Sequence, residues 1–244
     1  MTQLHVLLPA YNEEAALNTL IPEFHALGLD LRVIVVNDGS SDRTSAVAHE
    51  HGAHVIEHPT NKGLGGAIRT LLDHVITTIP RGDILITMDG DGTMPPALVP
   101  HMVDRIHQGA DLVIASRFVG GKEIGVPLIR KIFSRGARAL FTVFTPVRGV
   151  TDYTCGYRVM RAELVHDLAA MNPGYFEGQG FTAGTEMLLN FSLIRPDLRV
   201  DEIPLELRYD LKAGESKMNV SRTVRQYIDL ISRAHRARRQ VHPA

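Results

Sequence analysis

The 244-residue sequence has one cysteine, Cys155. That excludes a disulfide framework and a cysteine zinc site, and leaves Cys155 as a small core residue in a reducing compartment, for which the cytoplasm fits. Net charge is nearly absent too: 26 Lys and Arg face 27 Asp and Glu, for a formal −1 at pH 7. Without a global basic field, nonspecific nucleic-acid binding is excluded and any preference for anions must be local. No apolar run approaches the length of a membrane-spanning helix, and residues 1–10 lack the basic start and long apolar stretch of a signal peptide. The expectation is a soluble or peripheral chain. Neither G-x-G-x-x-G nor G-x-x-x-x-G-K-[ST] occurs, which argues against a dinucleotide oxidoreductase and a P-loop NTPase. The twelve histidines show no H-E-x-x-H or comparable spacing and read as surface or packing residues.

What is present is an alternating pattern. Short β-rich runs at 4–9, 32–38, 53–58, 83–89 and 111–116 lack strict alternation, as strands covered on both faces should. Helical patterns lie between them at 13–27, 42–51, 64–79 and 95–108. This βαβαβ order predicts an α/β fold with a mainly parallel central sheet and right-handed crossovers, whose ligands bind at the carboxyl ends of the strands. The later chain is less regular. It holds a basic stretch at 128–141, a turn-rich segment at 148–160, a Gly-rich loop at 174–184, a helix at 185–194, a strand near 199–209 and a last helix near 220–239. No linker or repeat interrupts it, so one domain is expected. Its first half, carrying those strand ends, would be 1–118, its site-completing second half 119–219, and its basic C-terminal helix and tail 220–244.

The strand-end rule gathers the polar residues that carry chemistry. Pro9, Tyr11 and Glu13 follow the first strand, and Asn37 to Asp42 end the second. In "ILITMDGDGTMPP" (84–96) the fourth strand stops at Asp89 and Asp91, separated by Gly90. Two carboxylates this close repel unless a cation lies between them, and hard oxygen ligands suit Mg²⁺ or Mn²⁺ shared with substrate phosphates. An ordinary solvated turn is the competing reading. In "VVNDGSSDRT" (35–44), Ser40, Ser41 and Asp42 read as a capping turn. Asp38, at the ligand-facing end of the strand, is suited to accept hydrogen bonds from a nucleobase or ribose. "NKGLGGAIR" (61–69) has the look of a phosphate loop and makes Lys62 a nucleotide-side candidate. Arg117 follows the fifth strand, where a planar guanidinium can grip a phosphate. Lys122, Arg130, Lys131, Arg135 and Arg138 extend the basic run, part of which is a solvated helix face.

Together these segments resemble the family 2 inverting glycosyltransferases of the GT-A fold, in particular the branch that uses dolichol or polyprenyl phosphate. The resemblance runs through "LPAYNEE", "VVNDGSSDRT", "MDGDGTMPP", "IASRF", "PLIRKIFSRGARAL", "TDYTCGYRVMRAELV" and "GESKMN", nearly the whole chain. It implies transfer of a hexose from a nucleotide sugar, GDP-mannose foremost, to a polyprenyl phosphate. A hydroxyl acceptor or a UDP-sugar donor is the alternative, and a non-catalytic nucleotide-sugar-binding module is the second. It implies that Pro9, Tyr11, Glu13, Val36 and Asp38 line the nucleotide pocket and that Asp89, Gly90 and Asp91 hold metal and diphosphate. Arg117, Arg130 and Ser134 would meet the acceptor phosphate, and Lys217 the donor diphosphate. The sequence departs from the branch at Asn37, where an acid is usual, and at Thr93, where a further metal ligand is common. "LRYDLKAGESK" (207–217) has unusual spacing, so Arg208 and Lys212 both stand as the second donor-phosphate cation.

Two features stay open in the sequence. Asp152 reads equally as a base, a turn acid partnered with Arg158, or an orienter of the active site. In the last helix, Val224, Tyr227, Ile228 and Ile231 can share one face. Arg222, Arg225, Arg233, Arg236, Arg238 and Arg239 make its flanks and end basic, as expected of a packed helix with a solvated tail or of one docked on an anionic membrane. Relatives carrying membrane spans or a small membrane-protein partner make such a partner, or a homo-oligomer, a further expectation.

Overall fold

The computed structural model describes residues 2–171, 176–177, 180–212 and 220–241, with side chains at the C-terminal end covering 222–238. The first half follows the expected alternation. β1 (Leu4–Ala10), α1 (Glu14–His25), β2 (Leu31–Asn37), α2 (Thr44–Glu50), β3 (His54–Glu57), α3 (Gly63–Thr78), β4 (Ile84–Thr87), α4 (Val99–His107) and β5 (Leu112–Ser116) succeed one another, with a short 3-10 turn at Pro96–Leu98 before α4. The strand runs are apolar because helices cover both sheet faces: Val6, Leu8, Val35, Val36, Leu85, Ile86, Val113 and Ile114 are fully buried. Asp42 caps the turn before α2 by accepting the Thr44 amide at 2.9 Å, and also receives the Glu14 amide of α1 at 3.3 Å.

The second half adds β6 (Lys122–Ile124), α5 (Leu128–Phe144), β7 (Arg158–Arg161), α6 (Glu163–Met171), α7 (Ala183–Ile194), β8 (Val200–Pro204), β9 (Glu206–Arg208) and α8 (Val220–Val241). The main sheet has the order β3-β2-β1-β4-β7-β5-β8, and β6 pairs with β9 in a small second sheet. Most ladders are parallel. β7 is antiparallel to both neighbours, placing Val159 opposite Ile86 and Val113. It lies in the segment read from sequence as turns, because a four-residue strand has no periodicity of its own and acquires its pairing only between β4 and β5. The single strand expected near 199–209 is two. Its register with β5 ends at Pro204, and Leu205 bridges the sheets, donating its amide to Ser116 and accepting from Lys122.

The chain moves outward from β1 to β2 and β3, then returns to place β4 on the other side of β1. This reversal leaves a crevice at the carboxyl ends of β1, β2 and β4, where a doubly wound sheet receives its ligand. At the far side Phe141 of α5 stacks on Tyr153 at 5.5 Å and meets Tyr227 of α8 edge-on at 5.1 Å, so three aromatics fix α5, the 147–157 loop and α8 to one another. The apolar face expected for α8 is shifted. Tyr227, Leu230 and Ile231 pack inward, whereas Val224 and Ile228 are exposed, because Thr223 takes the buried position in the first turn.

Candidate active site

The crevice holds a cavity of about 790 Å³, within the range of small-ligand sites. Asp89, Gly90 and Asp91 form its floor after β4. A Cβ on Gly90 would sit 2.9 Å from the Pro9 carbonyl oxygen, so the close approach of the β4 and β1 ends requires glycine between the two carboxylates. Asp91 Oδ1 accepts the Thr93 hydroxyl at 2.7 Å and the Thr93 amide at 3.2 Å, and Oδ2 pairs with the Lys212 ammonium. Burial, then the neighbouring Asp91 charge, push the Asp89 carboxyl up to about 7, with Lys212 opposing them. The site is short of positive charge. Among the described residues no cluster of three or more His, Cys, Asp or Glu side chains is arranged to hold a metal. Asp89 and Asp91 offer hard oxygens only, which fits a divalent ion completed by water and substrate oxygens. Thr93, 3% exposed, spends its hydroxyl on Asp91.

Beside this floor, Pro9, Tyr11, Glu13 and Lys62 line the cavity together with Asn61 and the first turn of α3. Asp38 lines it too, yet is only 3% exposed, and its carboxylate is occupied. Oδ1 accepts from His58 Nδ1 at 2.7 Å and from the Lys62 amide at 2.8 Å, while Oδ2 accepts from the Gly63 amide at 2.8 Å. Val36 is a correction. It is fully buried in the sheet, in register with Pro9 and Ile56, and takes no part in the cavity lining, because the side chain before the strand end points into the helix layer. Asn37 donates its amide to Glu57 at 2.7 Å rather than facing the cavity.

The same cavity is also lined by Arg117, Arg130 and Ser134. Arg130 stacks over Tyr209 at 5.2 Å, and the Ser134 hydroxyl donates to the Lys131 carbonyl at 3.1 Å. Arg117 is gripped by Asp152 through Nε at 2.8 Å and Nη2 at 2.6 Å, and Nη2 also donates to Thr154 at 2.6 Å. Asp152 further accepts the amides of Arg117, Thr154 and Cys155. Burial alone would raise its carboxyl, but the Arg117 guanidinium and these amides outweigh burial and hold it below the usual range. The sequence reading that paired Asp152 with Arg158 is therefore corrected. Arg158, 1% exposed, donates instead to the carbonyls of Gly184 and Tyr153. Glu202 fixes the same loop by accepting the amides of Thr151 and Asp152.

Between the two alternatives for a second donor-side cation, Lys212 lines the cavity, whereas Arg208 is forked to Asp210 outside it. Lys217 lies outside the described residues. The exposed Lys122, Arg135 and Arg138 take no part in the cavity lining. Sequence reasoning missed His58, Thr154, Tyr209 and Tyr227. The last three line the cavity or hold its arginine, and only the adjacency of His58 to a loop rich in glycine offered a signal for it.

The profile described as Glycosyl transferase family 2 matches residues 5–169. A dolichol-phosphate mannosyltransferase of Pyrococcus furiosus is 30% identical over 95% of this chain, which spans 63% of that relative. An undecaprenyl-phosphate mannosyltransferase of Micrococcus luteus is 32% identical over 87% of this chain and 86% of its own. Among solved structures, glucosyl-3-phosphoglycerate synthase from Mycobacterium tuberculosis, crystallised with Mn²⁺ and UDP-glucose, superposes with a TM-score of 0.69 at 24% identity, covering 96% of this chain and 78% of that one. That likeness shows the fold, which is the α/β GT-A arrangement expected from the sequence.

Proposed function

The chain belongs to glycosyl transferase family 2 and is a glycosyltransferase, and from that premise we propose that it moves a hexose, with inversion, from a nucleoside diphosphate sugar to a polyprenyl phosphate. GDP-mannose is the donor this reading favours, supported by the mannosyltransferase names of its relatives. Asp89 and Asp91 would hold a divalent ion, Mg²⁺ or Mn²⁺, which when bound neutralises charge on the departing diphosphate. Lys212, already drawn to Asp91, adds a cation on the same side of the cavity.

The observation that carries the phosphate acceptor is the Arg117–Asp152 pair. Asp152 is saturated by N–H donors and held ionised, so it orients Arg117 and has no free geometry from which to take a proton. Arg117 keeps Nη1 without a partner among the described residues and lines the cavity with Arg130, an arrangement suited to a phosphate dianion. A phosphate monoester, with a second pKa of about 6, reaches the site largely ionised and attacks without a protein base. A sugar hydroxyl would need one.

A lipid acceptor must be met at a membrane surface. Among the described residues no helix is long and apolar enough to cross a membrane. However, Leu128, Ile129 and Ile132 of α5 are 70%, 54% and 55% exposed beside the cavity-lining Arg130. Val224 and Ile228 are exposed on α8, the first between Arg222 and Arg225 and the second between Arg225 and Arg233. Apolar side chains interleaved with basic ones suit peripheral contact with an anionic membrane.

The test is transfer to a short polyprenyl phosphate and to free sugars, with donor binding measured separately. Arg117→Ala and Arg130→Ala should each lower acceptor use by about 10- to 100-fold, the equivalent of one charge-assisted contact, while donor affinity holds. Efficient transfer to a neutral hydroxyl, insensitive to both changes and abolished by Asp152→Asn, would establish a hydroxyl acceptor instead.

A further inference from the structure

At the nucleotide end of the cavity, the carboxylate of Asp38 has most of its accepting capacity taken by the protein itself. Two of its partners, the amides of Lys62 and Gly63, belong to the turn that enters α3 and borders the cavity. The third is His58, which follows β3 and is 5% exposed. Its backbone amide donates to the Asn37 carbonyl at 2.9 Å, its Nδ1 lies 2.7 Å from Asp38, and its Nε2 lies 2.8 Å from the Thr70 hydroxyl of α3. One ring therefore ties the end of β2, the loop after β3 and the body of α3. A carboxylate in a bond with a ring nitrogen accepts, so Nδ1 is the donor to Asp38.

The packing leaves this unit no slack. Gly39 has φ +70°, and a Cβ there would lie 2.7 Å from the Asn61 amide nitrogen, so the loop after β2 and the loop before α3 touch backbone to backbone. Asn61, Lys62 and Gly63, the residues that this contact and the Asp38 bonds fix, all line the cavity. We propose that His58 is the positioning residue of the nucleotide end: by holding Asp38 through Nδ1 it sets the 61–63 turn in the geometry that receives a nucleoside diphosphate. This rests on the reading of the cavity as a donor site. Asp38 then serves the nucleotide chiefly as a brace for backbone and only secondarily as a direct contact.

The two ring nitrogens make the proposal separable from simple core packing. An Asn amide places its N–H near the Nδ1 position, whereas a Gln amide reaches toward Nε2. GDP and UDP binding should be measured calorimetrically with Mn²⁺ on the full chain carrying His58→Ala, His58→Asn and His58→Gln, with melting temperatures recorded alongside. His58→Ala and His58→Gln should weaken nucleotide binding by about 10-fold or more, and His58→Asn by less than about threefold, as expected for keeping or losing one charge-assisted hydrogen bond. Turnover at saturating donor and the KM for polyprenyl phosphate should change by less than about twofold, since His58 touches neither the acceptor side nor the reacting atoms. If His58→Ala fails to fold, the Asn and Gln variants carry the comparison. Equal loss of affinity in Asn and Gln, in step with melting temperature, overturns the proposal in favour of a packing role. Wild-type affinity in His58→Ala or in His58→Gln overturns it too. A wild-type chain that binds neither nucleotide overturns the donor reading, and this proposal with it, and is distinguished by that arm alone.

Discussion

Two residue pairs decide what the site can do. At Asp89 and Asp91, burial first and then the neighbouring carboxylate push the Asp89 carboxyl up to about 7, so the floor of the cavity is built to receive positive charge. Asp89→Asn and Asp91→Asn keep the shape and remove the ligand. Each should lower turnover by on the order of 10²–10³, the equivalent of several kcal/mol of lost charge stabilisation, and EDTA should do the same to the wild type. Steady-state transfer rates check this, and full activity in EDTA would remove the metal from the reading. The second pair, Asp152 and Arg117, predicts a pH dependence of stability. The folded carboxyl is held below the unfolded value of about 3.9, so its contribution is complete above that value and disappears as pH falls through the folded one. Asp152→Ala should therefore cost about 3–5 kcal/mol near pH 7, where it leaves Arg117 buried and unpaired. The gap to wild type should narrow below about pH 4, as followed by urea unfolding across pH.

At the scale of elements, α5 and α8 meet through the edge-on contact of Phe141 with Tyr227. Phe141→Ala should cost about 3–5 kcal/mol, the usual range for emptying a buried aromatic position. It should also weaken acceptor use, because Ser134 and Arg130 ride on the same helix as Phe141 and Tyr227 lines the same cavity. Denaturant midpoints and acceptor KM, read together, separate the two effects. Helix α8 has a second anchor in Arg233, which reaches Glu186 of α7 at 3.1 Å and Asp229 at 3.1 Å. A chain ending at Asp229 would remove Leu230, Ile231 and this ion pair, so truncation there tests packing and not membrane contact.

Across the whole molecule, the exposed apolar residues of α5 and α8 lie on two helices that both line the cavity, and the test of membrane contact belongs to them. Ile132→Asp with Ile228→Asp should reduce binding to vesicles rich in anionic lipid by about 10-fold or more while leaving melting temperature and nucleotide binding intact, because both positions are already in solvent. Vesicle co-sedimentation checks it, and unchanged binding would take these helices out of the membrane reading.

Sequence alone was enough for the βαβαβ half, since its apolar runs and cap residues are local properties that one fold class satisfies. It was enough, too, for the strand-end carboxylates Asp89 and Asp91, because a glycine between two acids at the end of a buried strand is a local signal. Position along the chain also brought Arg117 to the correct edge of the sheet. Tertiary structure decided the rest. The antiparallel β7 exists only between β4 and β5, the strand at 199–209 divides because it serves two sheets, and Val36 turns inward because the helix layer covers it. Most of all, the partners were not legible. Asp152 lies 35 residues from Arg117 and Asp38 lies 20 from His58, and hydrogen bonds of that separation are set by how the sheet and its loops pack, which no local pattern records.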